Sequence, residues 1–294
     1  MTHACLDALS YNKDGPVRLT IIGSRSGIGV KDEASAGYLL TEGDDALLIE
    51  CGPGAVSRLG RYIALPQLVG VVISHMHWDD YGDLFALANA RYYINVNDIL
   101  TDRNATTTAL QRYGPAPVYL PPTGTQRITQ TIAAIANGLP HMRAILDTPL
   151  TFQDYVPNAP IVIGPFTIRA IGPMAHDDMP CFGFRITCGD AVFGYSGETG
   201  MCDALDIVAH EADLFLCDAM AITAQIRTEQ TKRHLSADEA GQVAARAGAR
   251  QLVLTHLIDV PPRWYRAMRL AAQANFPGPV HIARPTRQFE ICTG

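Results

Sequence analysis

The chain has 294 residues, 48% of them hydrophobic, and a formal charge of −6 from 23 lysines and arginines against 29 aspartates and glutamates. That length and apolar content can bury a sizeable core. The acidic balance argues against a protein that lives on nucleic acid, because non-specific affinity there comes from neutralising phosphates with lysine and arginine.

Met1 to Gly15 has no apolar signal-peptide core, and no stretch of the chain approaches the ~18 consecutive apolar residues of a membrane span. A cytoplasmic protein with no membrane partner is therefore expected. The first periodic segments, Arg18 to Ile22, Tyr38 to Thr41 and Ala46 to Cys51, read as a meander of antiparallel strands. Gly52-Pro53-Gly54 breaks the third, and Ala55 to Ile63 reads as a short helix leading to the strand Val69 to Ile73. Leu84 to Ala90 and Thr125 to Asn137 read as helices. Between and around them, Asn104 to Thr108 and the proline cluster Pro115 to Pro122 have no strong periodicity. Residues 91–160 are thus expected to be a variable region of substrate-shaping loops rather than core. Strands return at Phe166 to Ile171, Phe182 to Thr187 and Ala191 to Tyr195, the last two joined as a hairpin through Cys188-Gly189-Asp190. A helix at Leu205 to His210 and a strand at Leu214 to Cys217 follow. The helix from Ser236 to Ala247 carries a capping box, Ser236 with Glu239, and Gly248 is placed to end it. Gln251 to Thr255 is a buried strand, Arg263 to Asn275 a long helix, and Val280 to Ala283 and Gln288 to Cys292 are short strands. Strands, βα units, strands and βα units again predict two similar layers packed face to face in one domain, 1–294.

Seven cysteines are scattered without a CxxC pair or a disulfide framework, as fits a reducing compartment. Cys51, Cys181 and Cys202 read as small buried hydrophobes.

The chemistry concentrates where the Val69 strand opens into Ser74-His75-Met76-His77-Trp78-Asp79-Asp80. His75 and His77 are two apart on an extended or turning backbone, so both imidazoles can point at one ion. Asp79 and Asp80 add hard oxygen donors, a mixture that suits Zn²⁺, Mn²⁺ or Fe. His176, Glu198 in Tyr195-Ser196-Gly197-Glu198-Thr199-Gly200, and His256 in Leu254-Thr255-His256-Leu257 also sit at strand ends or in adjacent loops.

With these motifs the sequence resembles the metallo-β-lactamase superfamily, and within it the branch containing the RNase Z ribonucleases and related small hydrolases. The resemblance implies an α/β, four-layer αββα sandwich with a one- or two-metal site between two sheets. The family motif His-x-His-x-Asp-His reads here His75-Met76-His77-Trp78-Asp79-Asp80, with aspartate for the last histidine. The lone third-motif histidine is matched by His176, the bridging aspartate by Glu198 and the last metal histidine by His256. By resemblance, His75, His77 and His176 would hold one ion, Asp79, Asp80 and His256 a second, and Glu198 would bridge. Glu50 stands where the family has a structural aspartate bracing the histidine loop. Glu198 has one more methylene than the usual bridge, so it reaches both ions only if they shift and otherwise binds one. One ion or two, Zn or Mn/Fe, all stay open.

RNase Z enzymes also use an acid and a histidine to protonate the leaving group, and the matching positions are Asp218 and His234. Asp218 reads equally as a carboxylate capping the turn after its strand, and His234 as a solvated residue before the helix cap. Arg185 is placed to meet a substrate anion or to make a surface ion pair. The resemblance implies a metallo-hydrolase in which a metal-bound hydroxide, oriented by Asp79, attacks a small ester, lactone or phosphodiester. The rival expectations are an RNase Z-like phosphodiesterase acting on RNA, and a non-catalytic metal- or ligand-binding protein whose second metal site has decayed. The expected partner is a small-molecule substrate, with no nucleic acid, and the assembly entertained is a homodimer.

Overall fold

In the strand Asp45–Ile49, Leu47 and Ile49 point to one side and Leu48 to the other, and all three are fully buried. A strand buried on both faces must lie inside a layered fold, because successive side chains alternate across the sheet. The computed structural model describes residues 16–27, 33–101, 114–176, 179–228 and 231–292. The expectations for Met1 to Gly15 and Asn104 to Thr108 lie outside them.

Two seven-stranded sheets form the inner layers. The first contains β1 (Val17–Gly23), β2 (Gly37–Glu42), β3 (Asp45–Ile49), β4 (Leu68–Val72), β5 (Ala116–Leu120), β6 (Leu150–Asp154) and β14 (Gln288–Ile291), in the order β14-β1-β2-β3-β4-β5-β6. The second contains β7 (Pro160–Ile163), β8 (Phe166–Ile171), β9 (Gly183–Cys188), β10 (Ala191–Tyr195), β11 (Leu214–Asp218), β12 (Leu252–Thr255) and β13 (Val280–Ile282), in the order β13-β12-β11-β10-β9-β8-β7. Each sheet is antiparallel at its beginning and turns parallel, from β3 to β6 in the first and from β10 to β13 in the second.

The core between the sheets joins Leu19, Leu47 and Ile49 of the first to Phe184, Phe193 and Leu216 of the second. Leu48, Val71 and Ile73 face outwards onto Leu59, Leu84 and Ile128 of the helices on that side. Phe215, Cys217 and Leu254 do the same on the other side against Val243, Met268 and Ala272. The layers are therefore helix, sheet, sheet, helix. Cys51 and Cys181 are fully buried, while Cys202 is partly exposed.

The stretch 91–160 corrects the expectation of loops rather than core. Besides the expected helix, here Gly124–Ala136, it carries β5, β6 and the helix Pro140–Asp147, and Val118, Leu120, Ile128, Ile132 and Leu150 are buried. Prolines concealed this. β5 alternates buried Ala116, Val118 and Leu120 with half-buried Pro117 and Tyr119, but the flanking Pro115, Pro121 and Pro122 read as loop.

Parallel strands put their carboxyl ends on one edge of a sheet, where α/β proteins place ligands. β4 runs into Ser74 to Asp80, β10 into Ser196 to Glu198, β11 ends at Asp218 and β12 runs into His256.

A candidate metal centre between the sheets

The loop after β4 is pinned before its first histidine. The Ser74 amide donates to both Glu50 carboxylate oxygens, at 3.1 and 3.3 Å, and the Tyr155 hydroxyl donates to the Ser74 carbonyl at 3.0 Å. Ser74 Oγ is 2.9 Å from His75 Nδ1, which leaves Nε2 to face Glu198. His77 begins the single-turn helix Trp78–Tyr81, whose first turn holds Asp79 and Asp80. Beneath it passes Glu50-Cys51-Gly52: the Cys51 amide donates to the Asp80 carbonyl at 2.6 Å, and a Cβ on Gly52 would lie 1.9 Å from the Asp79 carbonyl oxygen. Glu50 and His256 both hold left-handed backbone, φ 57° and 55°, uncommon for residues with a side chain.

Glu198 is the centre of the polar cluster. Its Oε2 is 2.7 Å from His75 Nε2 and 3.0 Å from His77 Nδ1. Its Oε1 is 3.8 Å from His176 Nε2 and 3.1 Å from His234 Nε2. His234 Nδ1 in turn lies 2.9 Å from Asp218 Oδ2. His256 stands between Asp218, 3.6 Å from its Nδ1, and Asp79, 3.7 Å from its Nε2. Asp79 also accepts the Gly27 amide at 2.7 Å. Asp80 Oδ2 is 3.5 Å from His75 Nε2. Among the described residues, three groups bring donor atoms within 4.8 Å of one another: His75, His77, His176 and Glu198; Glu198, His234 and His256; and His77, Asp79 and Asp80.

The charges and unpaired atoms of the cluster show which groups a cation would pair. Burial opposes the charge on Glu198, but His256, His176, His75 and His77 overcome it and hold its carboxyl far below the usual carboxylate range. Asp79, despite its burial, is held down to about 2 by His256 and the Gly27 amide. Asp80 goes the other way: burial, then the charges of Glu50 and Asp79, push it well up. Burial likewise pushes Glu50 up to about 8, against the Ser74 hydrogen bonds. Both carboxylate oxygens of Asp80 and both ring nitrogens of His256 are buried without a hydrogen-bond partner. Buried polar atoms in that state are costly unless something pairs them. Mixed imidazole and carboxylate donors around them fit a divalent metal.

All seven residues expected as ligands meet in this cluster: His75, His77 and His176 gather with Glu198, and His256 Nε2 lies 3.7 Å from Asp79. Asp79 and Asp80 gather with His77, and His256 gathers with Glu198 and His234. His234 is buried at the cluster, not solvated before the helix cap. Arg185 is not at the site: it donates to the carbonyl of His210 at 2.5 Å, beyond the end of the helix Ala204–Ala209. Sequence reasoning missed Tyr155 and the Gly27 amide, which hold Ser74 and Asp79. Neither stands in a motif. Ser196 and Thr199 were visible only as motif residues; here Ser196 Oγ accepts the Asp218 amide at 2.8 Å and the Thr199 amide donates to Asp218 at 3.2 Å.

Residues 46–257 match the family model described as a beta-lactamase superfamily domain. A Mycobacterium tuberculosis H37Rv protein is 32% identical over 278 residues, covering 94% of this chain and 92% of that one. YhfI of Bacillus subtilis strain 168, named a probable metallo-hydrolase, is 29% identical over 273 residues, 91% of this chain and 97% of its own. Ribonuclease Z of Mycobacterium bovis BCG Pasteur is 26% identical over 289 residues, 94% and 98%. The crystal structure of YhfI superposes with a TM-score of 0.76 at 26% identity, covering 94% of this chain and all of that one. Human tRNase Z, short form, shares the fold at a TM-score of 0.68 and 18% identity, with 94% and 100% covered.

Proposed function

The chain belongs to the beta-lactamase superfamily, in its RNase Z-like branch, and from that premise we propose that it is a divalent-metal-dependent hydrolase of a small phosphodiester. His75, His77 and His176 would hold one ion, Asp79, Asp80 and His256 a second, with Glu198 between them. Divalent ions supply an acidified water as nucleophile and a Lewis acid for the oxygen under attack.

The single observation that carries the proposed chemistry, hydrolysis with an unactivated alkoxide leaving group, is the pair Asp218–His234. Burial opposes the charge on Asp218, but His234 and His256 hold its carboxyl low, so it stays an acceptor for His234 Nδ1–H. His234 Nε2 then faces Glu198 at the cluster, where a proton on it can pass to a departing alkoxide. A diester, ester or lactone that expels an unactivated alkoxide needs that proton, whereas one that expels a nitrophenolate does not; the choice of the diester among these follows the likeness to Ribonuclease Z. Asp79, fixed by the Gly27 amide, would orient the attacking water. The water loses one proton and the alkoxide gains one, so the site is balanced.

The test is turnover by the metal-loaded protein on unactivated small phosphodiesters, carboxylic esters and lactones. Diester hydrolysis is expected to dominate. Hydrolysis of esters or lactones with none of diesters would overturn the substrate class, and full metal content with no turnover on any would make this a binding protein.

A further inference from the structure

From Val260 to Phe289 the chain has five arginines and no aspartate or glutamate, in a protein where acidic residues outnumber basic ones. The fold gathers four of the five. Arg266 and Arg269 on the helix Pro262–Gln273 face Arg284 and Arg287, which follow β13, across a cavity of about 510 Å³. Pro262, Val280 and Ile282 give it an apolar floor, and His281 and Gln273 add polar atoms.

Three arginines elsewhere have close acidic partners, Arg246 with Asp206 at 2.6 Å, Arg227 with Glu239 at 2.7 Å and Arg143 with Asp147 at 2.7 Å, while Arg91 and Arg185 donate to backbone carbonyls. Among the described residues, none of the four around the cavity has a carboxylate within ion-pair distance. Arg284 and Arg287 are held by stacking and by one imidazole nitrogen. Arg284 lies 5.4 Å from the centre of the Tyr265 ring, and Arg287 lies 4.9 Å from that of Phe289. Arg287 Nη2 is 2.8 Å from His281 Nδ1. Burial, then the charges of Arg287 and Arg269, lower the pKa of His281, so it serves as acceptor rather than as a fifth cation. Stacking orients a guanidinium without neutralising it. The positive charge is therefore left for something outside the chain.

We propose that this cavity binds a small organic phosphate carrying two or more negative charges, at a site separate from the metal cluster. Guanidinium forks match phosphate oxygens two by two, and four of them exceed what one monoanion would balance. The volume exceeds that of an inorganic phosphate and falls in the range of small-molecule pockets, ~300–1,000 Å³. The apolar floor suits an organic portion. None of the lining residues belongs to the metal cluster. The two are linked through Tyr265, which lines the cavity and whose hydroxyl donates to the Ile258 carbonyl at 2.8 Å, two residues beyond His256.

The experiment is calorimetric titration of the full metal-loaded chain with inorganic phosphate, adenosine monophosphate, adenosine diphosphate and a short single-stranded RNA. The nucleotides are expected to bind at least tenfold tighter than inorganic phosphate. The double variant Arg266→Ala/Arg269→Ala should weaken them at least tenfold at unchanged metal content and Tm. Binding should persist in His77→Ala and in the native protein stripped of metal by chelation, which separates this site from the hydrolytic centre. Absence of nucleotide binding, equal affinity in the double variant, or loss of binding in both metal-deficient forms would overturn the proposal. So would RNA that binds where the nucleotides do not, since that describes a track for a polymer.

Discussion

The Asp218 carboxylate and the His234 ring are joined Oδ2 to Nδ1 at 2.9 Å, with side chains only 1% and 7% exposed. A histidine held at one nitrogen by a buried anion has its other nitrogen fixed in direction. If that nitrogen protonates the leaving group, His234→Ala should lower kcat by roughly 10²- to 10³-fold on diesters with poor alkoxide leaving groups. The loss should be under about tenfold on nitrophenyl substrates, whose leaving group needs no proton. Steady-state kinetics on the two classes make the check. Equal losses would reduce His234 to a structural role.

Metal content tests the proposed ligands directly. His77→Ala removes a nitrogen that faces both Glu198 and His75, and most of the bound metal should go with it on elemental analysis. Retention of full metal content would refute the assignment. Asp80→His returns an imidazole where this chain has a carboxylate, and should move preference from Mn²⁺ or Fe²⁺ towards Zn²⁺. A native protein that already holds two Zn²⁺ tightly, with no change in Asp80→His, would remove Asp80 from the ligand set.

The metal-free protein should lose stability as pH rises from about 4.5 to about 8. Burial raises Glu50 from 4.5 to about 8, so across that window the folded state keeps a proton that the unfolded chain has released. Asp80, raised by burial and by Glu50, acts in the same direction. His256 does too: burial opposes its charge, but Glu198 and Asp218 raise its pKa, so its contribution is present below its unfolded pKa and lost as pH rises. Thermal unfolding at stepped pH should show Tm falling over this range, less steeply in Glu50→Gln and in the metal-loaded protein. A Tm that rises across the window would contradict the assigned directions.

Gly52→Ala should be damaging. Its Cβ would lie 1.9 Å from the Asp79 carbonyl and 2.8 Å from Ser35 Cβ, so the metal loop has to move. A loss of about 3 kcal/mol in stability, measured by denaturant unfolding, is expected, together with weaker metal binding. Gly60→Ala, with nothing within 4 Å, is the control and should unfold like the native protein.

Much of this was legible in the chain because strands and ligands coincide in it. Valine and isoleucine before His75, and leucine and valine before His256, marked both the buried strands and the loops that follow them. Ser236 and Glu239 do cap the helix Ala237–Arg246, since that signal is local. β5 escaped because its prolines imitate a loop, and β6 because its Thr151, Gln153 and Asp154 leave it largely exposed at the sheet edge. The placement of His234 could not be read: whether a histidine before a helix cap faces water or Asp218 depends on how β11 and its loop pack. Tyr155 was hidden for the same reason, since Ser74 is 81 residues away in sequence.

The polar cluster draws its side chains from both halves of the chain: His75, His77, Asp79 and Asp80 follow β4 of the first sheet, and Glu198 and His256 follow β10 and β12 of the second. Ions held by such a set would act as rivets through a seam, tightening two separately hydrogen-bonded sheets against each other. Their binding energy would then be folding energy as well. Chelation would loosen the joint between the sheets before it disturbed either sheet's own ladder, and amide exchange should quicken first in the loops around His77 and His256, while β3 and β11 stay protected.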